Sequence, residues 1–119
     1  MRHRKQQSKL GGRGRDGRRL LLANLATSLI THEKIQTTKA KAKAVQPLID
    51  KLINTAKNKE KQIAIREVMK VLNTEKSSKK LFSDLVKRYS SRPSGYTSIN
   101  EIGFRAGDAA PLVQIELIK

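Results

Sequence analysis

Eight of the first nineteen residues are cationic: Arg2, Arg4, Lys5, Lys9, Arg13, Arg15, Arg18 and Arg19. Asp16 is the lone carboxylate among them, so this stretch carries +7. Six of the ten arginines fall here, whereas lysine dominates the rest of the chain. Arginine presents a planar fork of donors that grips a phosphate through two hydrogen bonds, which a lysine ammonium cannot do. The glycines interleaved at Gly11-Gly12-Arg13-Gly14-Arg15 let the backbone turn sharply and bring its own N–H groups close to an anion. His3 adds one more donor for a phosphate or a base edge. The chemistry in this segment is therefore charge-assisted hydrogen bonding to a polyanion. With so little apolar surface it cannot fold alone and is expected to order on its partner.

Catalytic chemistry has no comparable concentration of residues. His3 and His32 are the only histidines, and cysteine is absent, so a thiol nucleophile, a disulfide framework and a Cys-based zinc site are all excluded. His32 sits where it can complement the C-terminal end of a helix. The carboxylates Asp50, Glu60, Glu67, Glu75 and Asp84 alternate with lysines in the manner of salt-bridged helix surfaces. The arginine-glycine stretch lacks the spacing of a P-loop and follows no strand. No enzyme activity, cofactor, metal or small-molecule substrate is expected.

Across 119 residues, 26 Lys and Arg face 10 Asp and Glu, a formal charge of +16. A charge of that size repels itself unless a polyanion is close, and nucleic acid is the expected partner. Residues 93–119 carry −1, and the remaining +10 lies between the basic start and that tail. Aromatics make up 3% of the chain and begin only at Phe82, which argues against single-strand recognition by base stacking. Shape and phosphate reading remain, on duplex DNA or folded RNA. An architectural DNA binder is the competing reading, although neither a dimerisation surface nor a groove-reading wedge is visible. The longest apolar stretch, Leu20 to Ile30, is interrupted by Asn24, Thr27 and Ser28 and is too short to span a bilayer. No helix is apolar on one face and basic on the other as a membrane-surface binder needs. The glycines also break any amphipathic transit-peptide helix, so the basic start reads as part of the mature protein. Lack of cysteine fits a reducing compartment.

The elements that must position these groups follow from periodicity. Residues 1–15 read as an extended basic arm and 16–119 as a single α+β domain. Asp16 is the expected N-cap of a first helix reaching Thr31, with Leu21, Leu22, Leu25, Leu29 and Ile30 on its apolar face. Arg18 and Arg19 then stand in its first turn, where cations oppose the macrodipole by a few tenths of a kcal/mol, roughly, unless an anion is present. Glu33 to Thr37 reads as a short strand or extended link. Thr38 can cap a second helix to Lys57, with Val45, Leu48, Ile49, Leu52, Ile53 and Ala56 at helical spacing and a kink expected at Pro47. On it Lys39 and Lys43 share a face, while Lys41 points the opposite way. A third helix over 59–72 buries Ile65, Val68, Met69 and Leu72, Asn73-Thr74 interrupts, and a fourth runs over 75–89 with Leu81, Phe82, Leu85 and Tyr89 inward. Leu112 to Ile118 alternates as a half-buried strand, with Val113, Ile115 and Leu117 on one face. Tyr96 to Ile102 is a weaker strand. Between them a nine-residue loop over 103–111 carries Arg105 and Asp108, long enough to suggest a functional role. The architecture implied is three to four helices packed on a small two- to three-stranded sheet.

Particular residues sharpen the choice of nucleic acid. Met1-Arg2-His3-Arg4-Lys5, Lys9-Leu10-Gly11, Asn24-Leu25-Ala26-Thr27-Ser28-Leu29-Ile30, His32-Glu33 and Thr37-Thr38 followed by Ala40-Lys41-Ala42-Lys43 together resemble the bacterial large-subunit ribosomal protein L17 family. Lys80-Leu81-Phe82, Gly95-Tyr96-Thr97, Gly107-Asp108-Ala109-Ala110-Pro111 and Ile115-Glu116-Leu117 continue the resemblance in order to the end of the chain. It implies a structural protein, in the cytoplasm as part of the ribosome, bound to large-subunit rRNA near the outer end of the peptide exit tunnel beside other ribosomal proteins. By position, Arg2, His3, Arg4, Lys5 and Lys9 match the arm that enters rRNA, and Arg18 and Arg19 match the basic start of the first helix. Gly12 to Gly17 departs from the family pattern, and Asn58 to Lys79 matches it poorly. The residues expected to touch RNA are thus Arg2, His3, Arg4, Lys5, Lys9, Arg13, Arg15, Arg18, Arg19, Lys39, Lys43 and Arg105.

Overall fold

The computed structural model describes residues 14–119; Arg2, His3, Arg4, Lys5, Lys9 and Arg13 lie outside the described residues. Helix α1 spans Arg15–His32 and is entered from an extended Gly14. Asp16 stands inside its first turn and is not the cap, a place where a carboxylate complements the macrodipole directly. The fully buried stripe runs through Ala23, Ala26, Leu29 and Ile30, with Leu22 and Leu25 packed at its margin. Leu21 is only half-buried, because the contact face is centred on the alanines and not on the leucine cluster.

The helix stops at Glu33, which takes a left-handed conformation (φ 64°) and donates its N–H to the Leu29 carbonyl at 2.7 Å. A β-carbon in that region is strained, and here it is held from two sides. The Glu33 carboxylate pairs with Arg88 and, at 3.8 Å, with Lys80, while its carbonyl accepts the Leu117 N–H at 2.9 Å. The Lys80 amine also reaches the Thr31 carbonyl at 3.1 Å. One residue thereby joins the end of the first helix to the last helix and the sheet.

Strand β1 (Lys34–Thr38) leads directly into α2 (Lys39–Asn58). Thr38 occupies the N-cap position as its sequence suggests, but its hydroxyl makes no capping bond. The helix runs unbroken through Pro47 and buries Ala42, Val45, Ile49, Leu52, Ile53 and Ala56. Helix α3 covers only Lys61–Met69, shorter than the 59–72 expected, because the Lys59 N–H is used to close α2 on the Thr55 carbonyl at 3.2 Å. Val68 and Leu72 are buried as expected and Ala64 joins them, whereas Ile65 is half-buried and Met69 exposed.

Thr74 caps the last helical segment, accepting the Ser77 N–H at 3.3 Å. We label this segment α4. It starts as an α-helix over Glu75–Lys80, widens to a π-helical turn over Leu81–Leu85 and closes as α-helix over Val86–Arg88. Leu81, Leu85 and Tyr89 are buried, and Phe82 packs against the core. The Tyr89 ring meets that of Tyr96 at 5.1 Å between centroids, so both phenols are core residues.

Strands β2 (Thr97–Phe104) and β3 (Pro111–Leu117) complete a three-stranded antiparallel sheet ordered β1-β3-β2. Central β3 turns Val113, Ile115 and Leu117 toward the helices, with Ile35 and Ile99 flanking Ile115 from the two sides. Gly103 and Pro111 lie within the strands, because an irregularity in register between Glu101 and Gly103 absorbs the glycine and a proline is tolerated as first strand residue. The connecting loop is therefore 105–110, shorter than the 103–111 expected. Four helices on one antiparallel sheet make an α+β fold.

Candidate nucleic-acid interface

The basic residues nearest the start of the described chain lie on the first turns of α1. Arg15 and Arg19 are exposed, four residues apart and on one face; Arg18 is half-buried. Arg19 borders a concave surface of about 590 Å³ together with Leu22, Ala23, Leu48, Lys70 and Val71. A neighbouring hollow of about 280 Å³ shares Leu48, Lys70 and Val71 and adds Lys51, Leu52, Thr55 and the paired Lys59 and Glu67. Side chains from α1, α2 and the turn after α3 thus bring Arg19, Lys51 and Lys70 around one apolar floor.

Lys51 and Lys70 were not singled out by sequence. A signal existed for Lys51: Lys43, Pro47 and Lys51 are all exposed and four residues apart, which makes an i,i+4 ridge with its two lysines about 12 Å apart along the helix. Lys70 carried none, since only the packing of the turn after α3 against α1 and α2 brings it to that surface. Among the described residues, Arg15, Arg19, Lys43, Lys51 and Lys70 form no ion pair. Arg15, Arg19 and Lys43 are available to an external anion, while Lys51 and Lys70, after the bonded Lys59, also help to hold the nearby Glu67 carboxyl below its ordinary range.

Other cations serve the protein itself. Arg88 binds Glu33 and, at 3.0 Å, Asp84, and the hydrogen bond from Arg88 holds the Glu33 carboxyl below its ordinary range against the opposing effect of burial. Lys57 donates to the Arg92 carbonyl and to the Tyr96 hydroxyl at 3.1 Å. Lys59 pairs with Glu67 at 2.8 Å and Lys79 with Glu75 at 3.5 Å.

The two remaining candidates, Lys39 and Arg105, stand at the β2–β3 hairpin. Lys39 reaches Glu101 at 3.5 Å. Arg105 makes a two-pronged pair with Asp108, 3.1 Å from Nε and 2.5 Å from Nη2. The Asp108 carboxylate also accepts the Ala110 N–H at 3.2 Å. The Arg105 bond first, and that backbone bond second, pull the Asp108 carboxyl down to about 2 and raise Arg105 in turn. The six described candidates therefore fall into two sets: Arg15, Arg18, Arg19 and Lys43 on the helices, and Lys39 and Arg105 with carboxylate partners at the hairpin. Among the described residues no cluster of His, Asp or Glu is arranged to hold a metal ion, and no helix is long and apolar enough to cross a membrane.

Comparison with known proteins adds a second, independent line. The family model described as Ribosomal protein L17 matches residues 21–118. The chain is 46% identical to the large ribosomal subunit protein bL17 of Desulforudis audaxviator over 103 residues, covering 87% of this chain and 91% of that protein. It is 41% identical to the protein of the same name from Desulforapulum autotrophicum, over 99% of this chain and 97% of the relative. The namesake from Desulfosudis oleivorans is 45% identical over 99% of this chain but is longer, with 56% of its length covered. The stretch 58–79, poorly matched by motif, lies inside the continuous family match.

Proposed function

Because this chain belongs to the ribosomal protein L17 family, we propose that it is a structural constituent of the large ribosomal subunit and binds folded large-subunit rRNA through the phosphate backbone. It works in the ribosome, in the cytoplasm, without catalysing a reaction. The observation that carries the phosphate reading is the separation of the cations into two populations. Arg15 and Arg19 on α1, Lys43 and Lys51 on the α2 ridge and Lys70 beside them form no ion pair among the described residues, whereas Lys39, Lys59, Lys79, Lys80, Arg88 and Arg105 are paired with carboxylates of the fold. Unpaired cations around a concave surface attract a polyanion and release its counterions on contact.

In this reading residues 1–15 form an arm that binds rRNA and 16–119 the domain that carries it. Placement near the outer end of the peptide exit tunnel, beside other large-subunit proteins, rests on the family resemblance. Sedimentation of a lysate at moderate salt tests the assignment: the chain is expected mainly with large subunits. Recovery mainly on chromosomal DNA would return the reading to an architectural DNA binder.

A further inference from the structure

On a protein of charge +16, the tip of the β2–β3 hairpin is apolar and electrically balanced. Phe104 is 73% exposed and Ile102 50% exposed, and Phe104 borders a cleft of about 260 Å³ with Gly103, Pro111, Leu112 and the paired Lys39 and Glu101. The cations at this end are already matched, Lys39 by Glu101 and Arg105 by Asp108. Large apolar side chains left in water mark a contact surface when they cluster.

The tip is also pre-shaped. The Arg105 N–H bonds the Ala110 carbonyl at 2.8 Å and the Ala109 N–H returns to the Arg105 carbonyl at 3.0 Å, with the Arg105–Asp108 fork across the loop. Gly107 and Ala109 both hold positive φ, 98° and 55°, conformations that persist because these bonds over-determine them. A hairpin held this way, with an aromatic knob at its strand end, loses little conformational entropy on docking.

We propose that this tip docks into an apolar socket on another protein of the large subunit, with Phe104 as the inserted anchor; the proposal rests on the ribosomal reading above. Charge selects the partner class. A phosphate surface would want free cations at the contact, and the tip's are neutralised in place. A second copy would bring another +16 against the first. A protein socket has neither difficulty, and aromatic anchors in apolar pockets dominate such contacts.

The test places a photo-crosslinker in the full chain by Phe104→p-benzoylphenylalanine, with Asn100→p-benzoylphenylalanine as control four residues earlier on the same strand β2. Both positions are exposed, and circular dichroism confirms an unchanged fold. After irradiation of purified large subunits, position 104 should attach to one identified ribosomal protein, at a yield at least fivefold above position 100. Attachment to rRNA or to a second copy, or no product in subunits that contain the chain, overturns the docking proposal alone. Absence of the chain from large subunits overturns the ribosomal reading, and the proposal falls with it.

Discussion

Asp108 shows how far a residue's type underdetermines its role. Arg105 has the side chain of a phosphate ligand and lies in a loop, so sequence places it among the RNA contacts; in the structure its donors face Asp108, three positions on. That spacing was visible beforehand, but the left-handed backbone that closes it was not. Lys39 and Glu101, 62 positions apart, had no sequence signal at all. The Arg105–Asp108 fork makes a direct prediction. A carboxyl whose folded pKa is depressed stabilises the native state above its ordinary range, and that contribution is lost as pH falls through the folded value. For Asp108 the window lies between its ordinary value of 3.8 and about 2. A carboxyl-carbon NMR titration should place the Asp108 midpoint near the lower end. In Arg105→Ala the midpoint should rise most of the way back, stopping slightly short because the Ala110 N–H still donates to it. An unmoved midpoint would show that the fork does not exist in solution.

At the scale of elements, period and punctuation carried most of the fold. The alternation of Val113, Ile115 and Leu117 placed β3, and the helical spacing along α2 named five of its six fully buried side chains, missing only Ala42. What escaped was geometry set by neighbours: the π-helical turn at Leu81–Leu85, the early stop of α3, and the choice of Gly14 over Asp16 as cap. None of these leaves a periodic trace. Two threonines with the same apparent role separate the legible from the illegible. Thr74 and Thr38 both occupy N-cap positions in extended conformation, but only Thr74 accepts a backbone N–H with its side chain. Loss of a capping oxygen costs about 1 kcal/mol. Thr74→Ala should therefore lower stability by about that amount in urea denaturation. Thr38→Ala, which removes no capping bond, should cost well under half as much. Equal losses would mean that the Thr74 bond contributes nothing specific.

For the whole molecule the question is how its charge divides between an arm and a folded face. If Lys43, Lys51 and Lys70 lie against phosphates, each contact releases counterions, and the logarithm of affinity falls with the logarithm of salt by roughly 0.7 to 0.9 per phosphate neutralised. These lysines are exposed and outside every ion pair among the described residues, so replacing all three with alanine should leave the circular-dichroism signal unchanged. The salt slope measured on an isolated large-subunit rRNA fragment should then drop by about two to three. Deleting residues 1–13 removes Arg2, Arg4, Lys5, Lys9 and Arg13, a larger set, and should flatten the slope further while sharply weakening affinity. Additive losses in the combined variant would mark the two sets as independent contacts. A triple variant with an undiminished slope would assign RNA binding to the arm alone. An arm deletion without effect would assign it to the concave face between α1, α2 and α3, and would leave the arginine-glycine stretch without an RNA role.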